Sequence, residues 1–267
     1  MINLYVQHET ARSEELAEQV QDILTQAIPA VEKVTGLPAP DPVTVELVDV
    51  EGLATAWSAF IRRQVERDTA GLDLTDWQRK RVSALPQAAR WSARKIGMTT
   101  EYTIIANSTG RPSTLLIPEA LEQQGLNAPD RLCELLVRAL AEQTQVAACG
   151  GTIIPGPVWP TTRATRDVNT LFSHGHAQWT SDQATPLILG HPVVRDDHRR
   201  QRNFVKAVVD LLDFGTARQQ ARATSLVDQA IAAVGTDRFN HVWTVDGLLP
   251  ALDELRQPVS WIRRLPA

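Results

Sequence analysis

Apolar positions recur at helical spacing over most of this chain and alternate at strand spacing in three short stretches. From Glu14 to Val34, Leu16, Val20, Ile23, Leu24, Ala27, Val31 and Val34 form one stripe, with Ser13 placed as N-cap and Gly36 past the end. Val43 to Val48 alternates and reads as a strand after a loop punctuated by Pro38, Pro40 and Pro42. Gly52 to Ala70 returns to helical spacing with Leu53, Trp57, Phe60, Ile61 and Val65 inward, and a third helical stretch covers about 75–95, kinked or divided by Pro86. Tyr102 to Ala106 and Ser113 to Ile117 read as two strands around the Asn107-Ser108-Thr109-Gly110 turn. A short helix ending at Gly125 follows. Asp130 then caps a long helix that Gly150-Gly151 stops. Beyond a proline-rich connection, helices are expected over 162–184, 194–214 and 217–234, and a helical tail over 239–265 with breaks at Pro250 and Pro258. No internal repeat or linker interrupts this order.

Composition narrows the class. The chain has 267 residues, 43% apolar and 22% charged, and a net charge of −4. These values suit a globular protein and argue against a nucleic-acid or membrane-surface binder. No apolar run reaches the length of a membrane span, and residues 1–12 lack the basic-then-apolar order of a signal peptide. Cys133 and Cys149 stand 16 positions apart, both on or near one predicted helix, too far to bridge, so they read as reduced core residues of a cytoplasmic protein. Arginine far outnumbers lysine (Lys33, Lys80, Lys95 and Lys206 are the only lysines), a bias of GC-rich bacterial genomes.

The segment Leu135–Gln145 resembles the active-site helix of a zinc protease, which carries His-Glu-x-x-His; here the slots hold Arg138, Ala139 and Glu142. Phe172-Ser173-His174-Gly175-His176-Ala177 is similar to a Glu-Gly-His-Ala segment of the same proteins. The tail, Gly235 through Trp243, Leu249-Pro250, then Pro258 to Ile262, matches in most detail. Together these make the chain resemble the bacterial zincin-like proteins described as zinc-dependent metalloproteases, some of them associated with deazaflavin-coenzyme biosynthesis. The likeness spans roughly 130–265; the N-terminal half agrees in element order.

The resemblance implies an α+β fold, mainly α-helical: a single zincin-like domain over 1–267, with N-terminal helices and a small sheet in 1–128 and the altered helix and C-terminal helices in 129–267. It puts the first zinc ligand on Arg138, the general base on Ala139, the second ligand on Glu142 and the third on His174. Zinc hydrolysis needs three protein ligands and an open position, and a guanidinium repels a divalent ion. Metal hydrolysis is therefore not expected, and no cofactor is implied.

Arg138 and Glu142 share a helix face, four residues apart. With His174 and His176 from a facing helix they would form a pocket. Arg138 would bind an anionic group, while Glu142, His174 and His176 would serve as catalytic acid–base groups. Trp159 and Trp179 flank this set in sequence and would wall the pocket. The set suits a small amine-bearing substrate with a sulfate or phosphate leaving group. Internal displacement of sulfate by the amine, forming an aziridine, is the most specific version, a reaction known from azinomycin-type natural-product pathways. A catalytically dead binding or scaffolding subunit with a small protein partner is the alternative. A third possibility, an ion on Glu142, His174 and His176, is opposed by ligand count and by the Arg138 charge.

Blander readings exist for each residue. An Arg–Glu pair at this spacing is often only a salt bridge of about 0.3–0.5 kcal/mol. His198, with Arg199, Arg200 and Arg202, reads as a solvated charge run. The seven tryptophans read mostly as core or helix-packing residues.

Overall fold

The structure is a computed structural model that describes residues 3–8, 13–154, 158–159, 163–193, 204–255 and 257–266, the side chains of residues 8, 163–167 and 204–217 excepted. The charge run around His198 lies outside these residues.

In chain order the elements are β1 (Leu4–His8), α1 (Glu14–Thr35), β2 (Val43–Leu47), α2 (Val50–Thr69), α3 (Asp76–Ser83), α4 (Leu85–Ile96), β3 (Thr103–Ala106) and β4 (Pro112–Leu116). Then follow α5 (Pro118–Gln124), α6 (Pro129–Ala148), α7 (Arg163–Leu189), α8 (Phe204–Val234), α9 (Thr236–Phe239) and α10 (Pro258–Ile262). The fold is α+β and mainly helical, with one small sheet, as the resemblance implies.

The sheet has four strands in the order β1-β2-β4-β3. The first three are parallel, and β3 closes the edge antiparallel to β4. β4 is buried at every position, and successive residues feed opposite faces. Leu115 packs with Phe60, Ile105 and Val146, whereas Leu116 packs with α1 and the Leu132–Leu136 part of α6. α6 contributes to both core clusters. Fourteen of its residues are buried, so it is the central element of the molecule rather than a one-faced surface helix.

Several expectations are corrected. β1 was not anticipated, because its five residues carry little apolar alternation and are held by pairing with β2. Pro86 divides the third helical stretch: α3 ends at Ser83, and the proline sits in the first turn of α4, where its missing N–H costs nothing. Ala128, not Asp130, is the N-cap of α6; Asp130 lies in the first turn, where its charge favours the helix dipole. Of the helices expected over 194–214 and 217–234, residues 194–203 lie outside the described residues, and the rest is continuous as the single helix α8. Gly215 costs a helix interior about 1 kcal/mol, yet the helix continues through it. Trp77 and Trp91 are exposed, whereas Trp179, Trp243 and Trp261 are buried as expected. Cys133 and Cys149 are buried and free.

Candidate functional site

α6 and α7 run antiparallel, and their seam carries the sequence-predicted polar residues. Glu142 lies on α6 with its side chain 9% exposed. Its Oε1 accepts a hydrogen bond of 2.5 Å from the Tyr102 hydroxyl. The same oxygen lies 3.8 Å from Nε2 of His174 on α7, whose side chain is 47% exposed. The buried carboxylate thus meets solvent beneath a half-exposed imidazole. Burial, then the neighbouring Glu142 charge, pushes the Tyr102 phenol well above its ordinary pKa, so it stays a neutral donor.

Arg138 is one turn along α6 from Glu142 but does not pair with it. Its Nη2 donates to Glu101 Oε2 at 2.5 Å, and its guanidinium carbon lies 5.9 Å from the Tyr102 ring centroid. Its side chain is 16% exposed, and its buried Nε has no hydrogen-bond partner. Burial works against the charge, but its surroundings, the Glu101 and Glu134 carboxylates among them, outweigh it and hold the pKa above its usual value. Glu101 and Tyr102 immediately precede β3, and α6 packs against β3 and β4. Sequence reasoning missed both residues. They stand 37 and 40 positions from their partners, and only the place of β3 at the sheet edge beside α6 brings them there.

The four residues His174-Gly175-His176-Ala177 face four ways. His174 faces Glu142. Gly175 faces α8 so closely that a Cβ would stand 2.7 Å from Cβ of Ala223. His176 is fully buried among Phe239, Trp243 and Trp179 at centroid distances of 5.4, 5.1 and 5.9 Å. Ala177 enters the core cluster shared with α1 and α6. Positions two apart on a helix point away from each other, so His174 and His176 do not converge. Gln145 holds His176 from the other side: its Nε2 donates to His176 Nδ1 at 2.8 Å and to the Ser173 carbonyl at 3.2 Å, while the Ser173 hydroxyl donates to Gln145 Oε1. Burial pushes the His176 pKa down to about 3, so the ring is neutral.

The two tryptophans have other partners. The backbone N–H groups of Val158 and Trp159 donate to Asp68 at 2.5 and 3.2 Å, and the Trp159 ring lies 5.9 Å from the Arg81 guanidinium. The Trp179 indole donates to Asp228 of α8 at 3.1 Å and its ring stacks on His176. None of these partners is Arg138, Glu142 or His174.

A zinc ion does not fit this donor set. Glu142 and His174 offer two ligands where three are needed, and Arg138 brings a fixed positive charge one turn away. Among the described residues, no group of three His, Cys, Asp or Glu side chains is close enough to hold a metal. Ala139 has no group that takes a proton from water. Nor, among the described residues, is any helix long and apolar enough to cross a membrane.

The profile of the Zincin-like metallopeptidase family matches residues 174–262. That match begins at His174 and runs through α7, α8 and α10 without reaching α6. The fold is similar to the crystal structure of a candidate hydrolase with a novel fold from Chloroflexus aurantiacus: 14% identity, 96% of this chain and 92% of that chain covered, TM-score 0.56. No curated protein matches. The chain is thus similar to zincin-like metallopeptidases over its C-terminal third, and to the Chloroflexus protein in fold over nearly its whole length.

Proposed function

We propose that this protein is a metal-free enzyme on a zincin-like fold whose hydrolytic site has been replaced by the Arg138–Glu101 and Tyr102–Glu142–His174 groups. Its substrate is a small molecule bearing an amine and an anionic leaving group. The observation that carries this reading is the Glu142 carboxylate, buried yet bordered by two protic side chains and reached past half-exposed His174. A carboxylate so enclosed holds an ammonium ion strongly, because little solvent screens the pair, and stands in position to take its proton. Arg138 supplies the anion partner one turn away.

In the reading at its most specific, Glu142 takes a proton from the substrate ammonium. The freed nitrogen lone pair attacks the neighbouring carbon, a C–N bond forms, and the C–O bond to sulfate breaks with both electrons leaving on the sulfate oxygen. The products are an aziridine, inorganic sulfate and a proton on Glu142. Holding both ends supplies the in-line geometry that an internal displacement needs, and Arg138 stabilises the departing charge. No cofactor takes part. The pathway is one of specialised metabolism.

The test is sulfate release from a vicinal amino-sulfate. Release by the wild type that falls at least a hundredfold in both Arg138→Ala and Glu142→Gln, on the scale of about 10²-fold for losing an acid–base group, supports the reading. No release, or equal release from Arg138→Ala, defeats it.

One observation favours a second reading, a non-catalytic binding or scaffolding subunit with a small protein partner. Arg138 and Glu142 each already have an internal partner, Glu101 and Tyr102. On that reading, alanine at 138, 142 and 174 leaves pathway output unchanged.

A further inference from the structure

The net charge of −4 conceals an uneven distribution: residues 71–96, which span α3 and α4, hold six Lys or Arg and two Asp. Three of those cations are already paired, Arg90 and Arg94 with Glu51 of α2, and Arg79 with Asp76 at 3.2 Å. Lys80, Arg81 and Lys95 are exposed and have no carboxylate partner among the described residues.

Helical phase gathers these three on one face. Val82 and Ala93 are the buried positions of α3 and α4, and α4 packs on α2. Ala84 joins the two helices at φ −81° and ψ −18°, a right-handed helical conformation, so the phase carries across the junction. At steps of three and four residues, Trp77, Arg81, Ala84, Ala88, Trp91 and Lys95 follow one another on the side away from Val82 and Ala93, and all six are exposed. Lys80 lies one step from Trp77 on the same side.

Trp77 is 65% exposed and Trp91 59%. Single apolar residues scattered over a surface are ordinary, but two indoles sharing one face with free cations are not. Arg81 lies 5.3 Å from the Trp77 ring centroid, and Lys95 lies 3.7 Å from that of Trp91. Fourteen positions at 1.5 Å each set the two indoles about 21 Å apart, with only the short side chains of Ala84 and Ala88 on the line between them. Leu72, before α3, and Ile96, the last residue of α4, are exposed as well.

A flat anionic surface uses all of these groups at once. An indole sits at the level of lipid headgroups, and the cation beside it reaches a phosphate. A nucleic acid fits less well, because bases stack on ring faces and Arg81 and Lys95 lie over those faces. An acidic polypeptide would satisfy the cations and leave the indoles in water.

We propose that the α3–α4 face docks the protein on an anionic phospholipid surface, with Trp77 and Trp91 at headgroup level and Lys80, Arg81 and Lys95 on lipid phosphates. The face is distinct from Glu142, and docking does not require the displacement chemistry.

Cosedimentation of the full chain at low ionic strength tests this, with vesicles of phosphatidylcholine and phosphatidylglycerol in equal parts and vesicles of phosphatidylcholine alone. The expected result is saturable binding to the mixed vesicles only, lost as salt is raised. Lys80→Gln with Lys95→Gln weakens it about 25-fold, at about fivefold per cation. Trp77→Ser with Trp91→Ser weakens it by about tenfold or more. Lys33→Gln on α1, also exposed, leaves it unchanged. All the substituted side chains are at the surface, so each variant keeps the fold, which circular dichroism checks. No binding to the mixed vesicles, equal binding to phosphatidylcholine alone, or wild-type affinity in either double variant overturns the proposal. Binding of poly(U) or of polyglutamate without binding of the mixed vesicles assigns the face to a nucleic acid or an acidic polypeptide, and overturns it too.

Discussion

The Tyr102 hydroxyl donates to Oε1 of Glu142 at 2.5 Å, joining the residue before an edge strand to the middle of the central helix. A hydrogen bond to a buried charged group contributes about 1.5–3 kcal/mol, and removing the donor leaves the carboxylate short of a partner. Tyr102→Phe keeps the ring beside Arg138 and removes only that donor. Urea denaturation should show a loss of about 1–3 kcal/mol, with unchanged helix content by circular dichroism.

Glu101 restrains Arg138, so the two variants should act in opposite directions on anion binding. Glu101→Gln removes the charge that occupies Nη2 and should tighten sulfate binding severalfold. Arg138→Ala should abolish it. Arg138→Lys should fall between, because an ammonium cannot reproduce the planar fork. Sulfate titration followed by calorimetry checks the order of the three.

Gly175 marks a close approach of α7 to α8, and its added Cβ would stand 2.7 Å from Ala223 Cβ and 2.8 Å from the Ala223 carbonyl carbon. Gly175→Ala gains about 1 kcal/mol in helix propensity but forces two packed helices apart, which costs about 1–3 kcal/mol or more when backbone must move. The net effect should be destabilising. Ala223→Gly removes one of the clashing atoms and should recover part of the loss. Thermal melts of the two single variants and the double variant measure the coupling.

His176 makes the fold acid-sensitive. Its folded pKa is pushed down to about 3 by burial, against about 6.5 for an unfolded histidine. Protonation therefore favours the unfolded chain. The contribution is fully present above about pH 6.5 and is lost progressively as pH falls toward about 3, on the order of a few kcal/mol in all. Denaturant midpoints at pH 7, 5 and 4 should fall steeply in the wild type. In His176→Phe the slope over that window should flatten, whatever the absolute stability at pH 7.

How far the residues spoke for themselves differs along the chain. Periodicity was enough for α1, α2 and β2, because each buries a regular stripe or alternating face whose spacing survives any tertiary arrangement, whereas β4 and α6, buried nearly all round, were legible from the turn and cap residues that bound them. β1 has no such signal, since an edge strand is defined by what it pairs with. The continuity of α8 through Gly215 was hidden because the local propensity of glycine opposes it. Arg138 and Glu142 were legible as a pair on one helix face, but not the fact that each has a different partner.

The order of residues alone determined which side chains α6 and α7 present at each turn, since 3.6 residues per turn fixes the face of Arg138, Glu142 and His174 once the helices exist. The tertiary structure alone decided what those faces meet. Sheet order carried Glu101 and Tyr102 to α6, and the close crossing at Gly175 turned His176 into the aromatic core while leaving His174 at the seam. Hydrogen bonds across 37 and 40 residues of chain depend on how layers pack, and no local spacing encodes that.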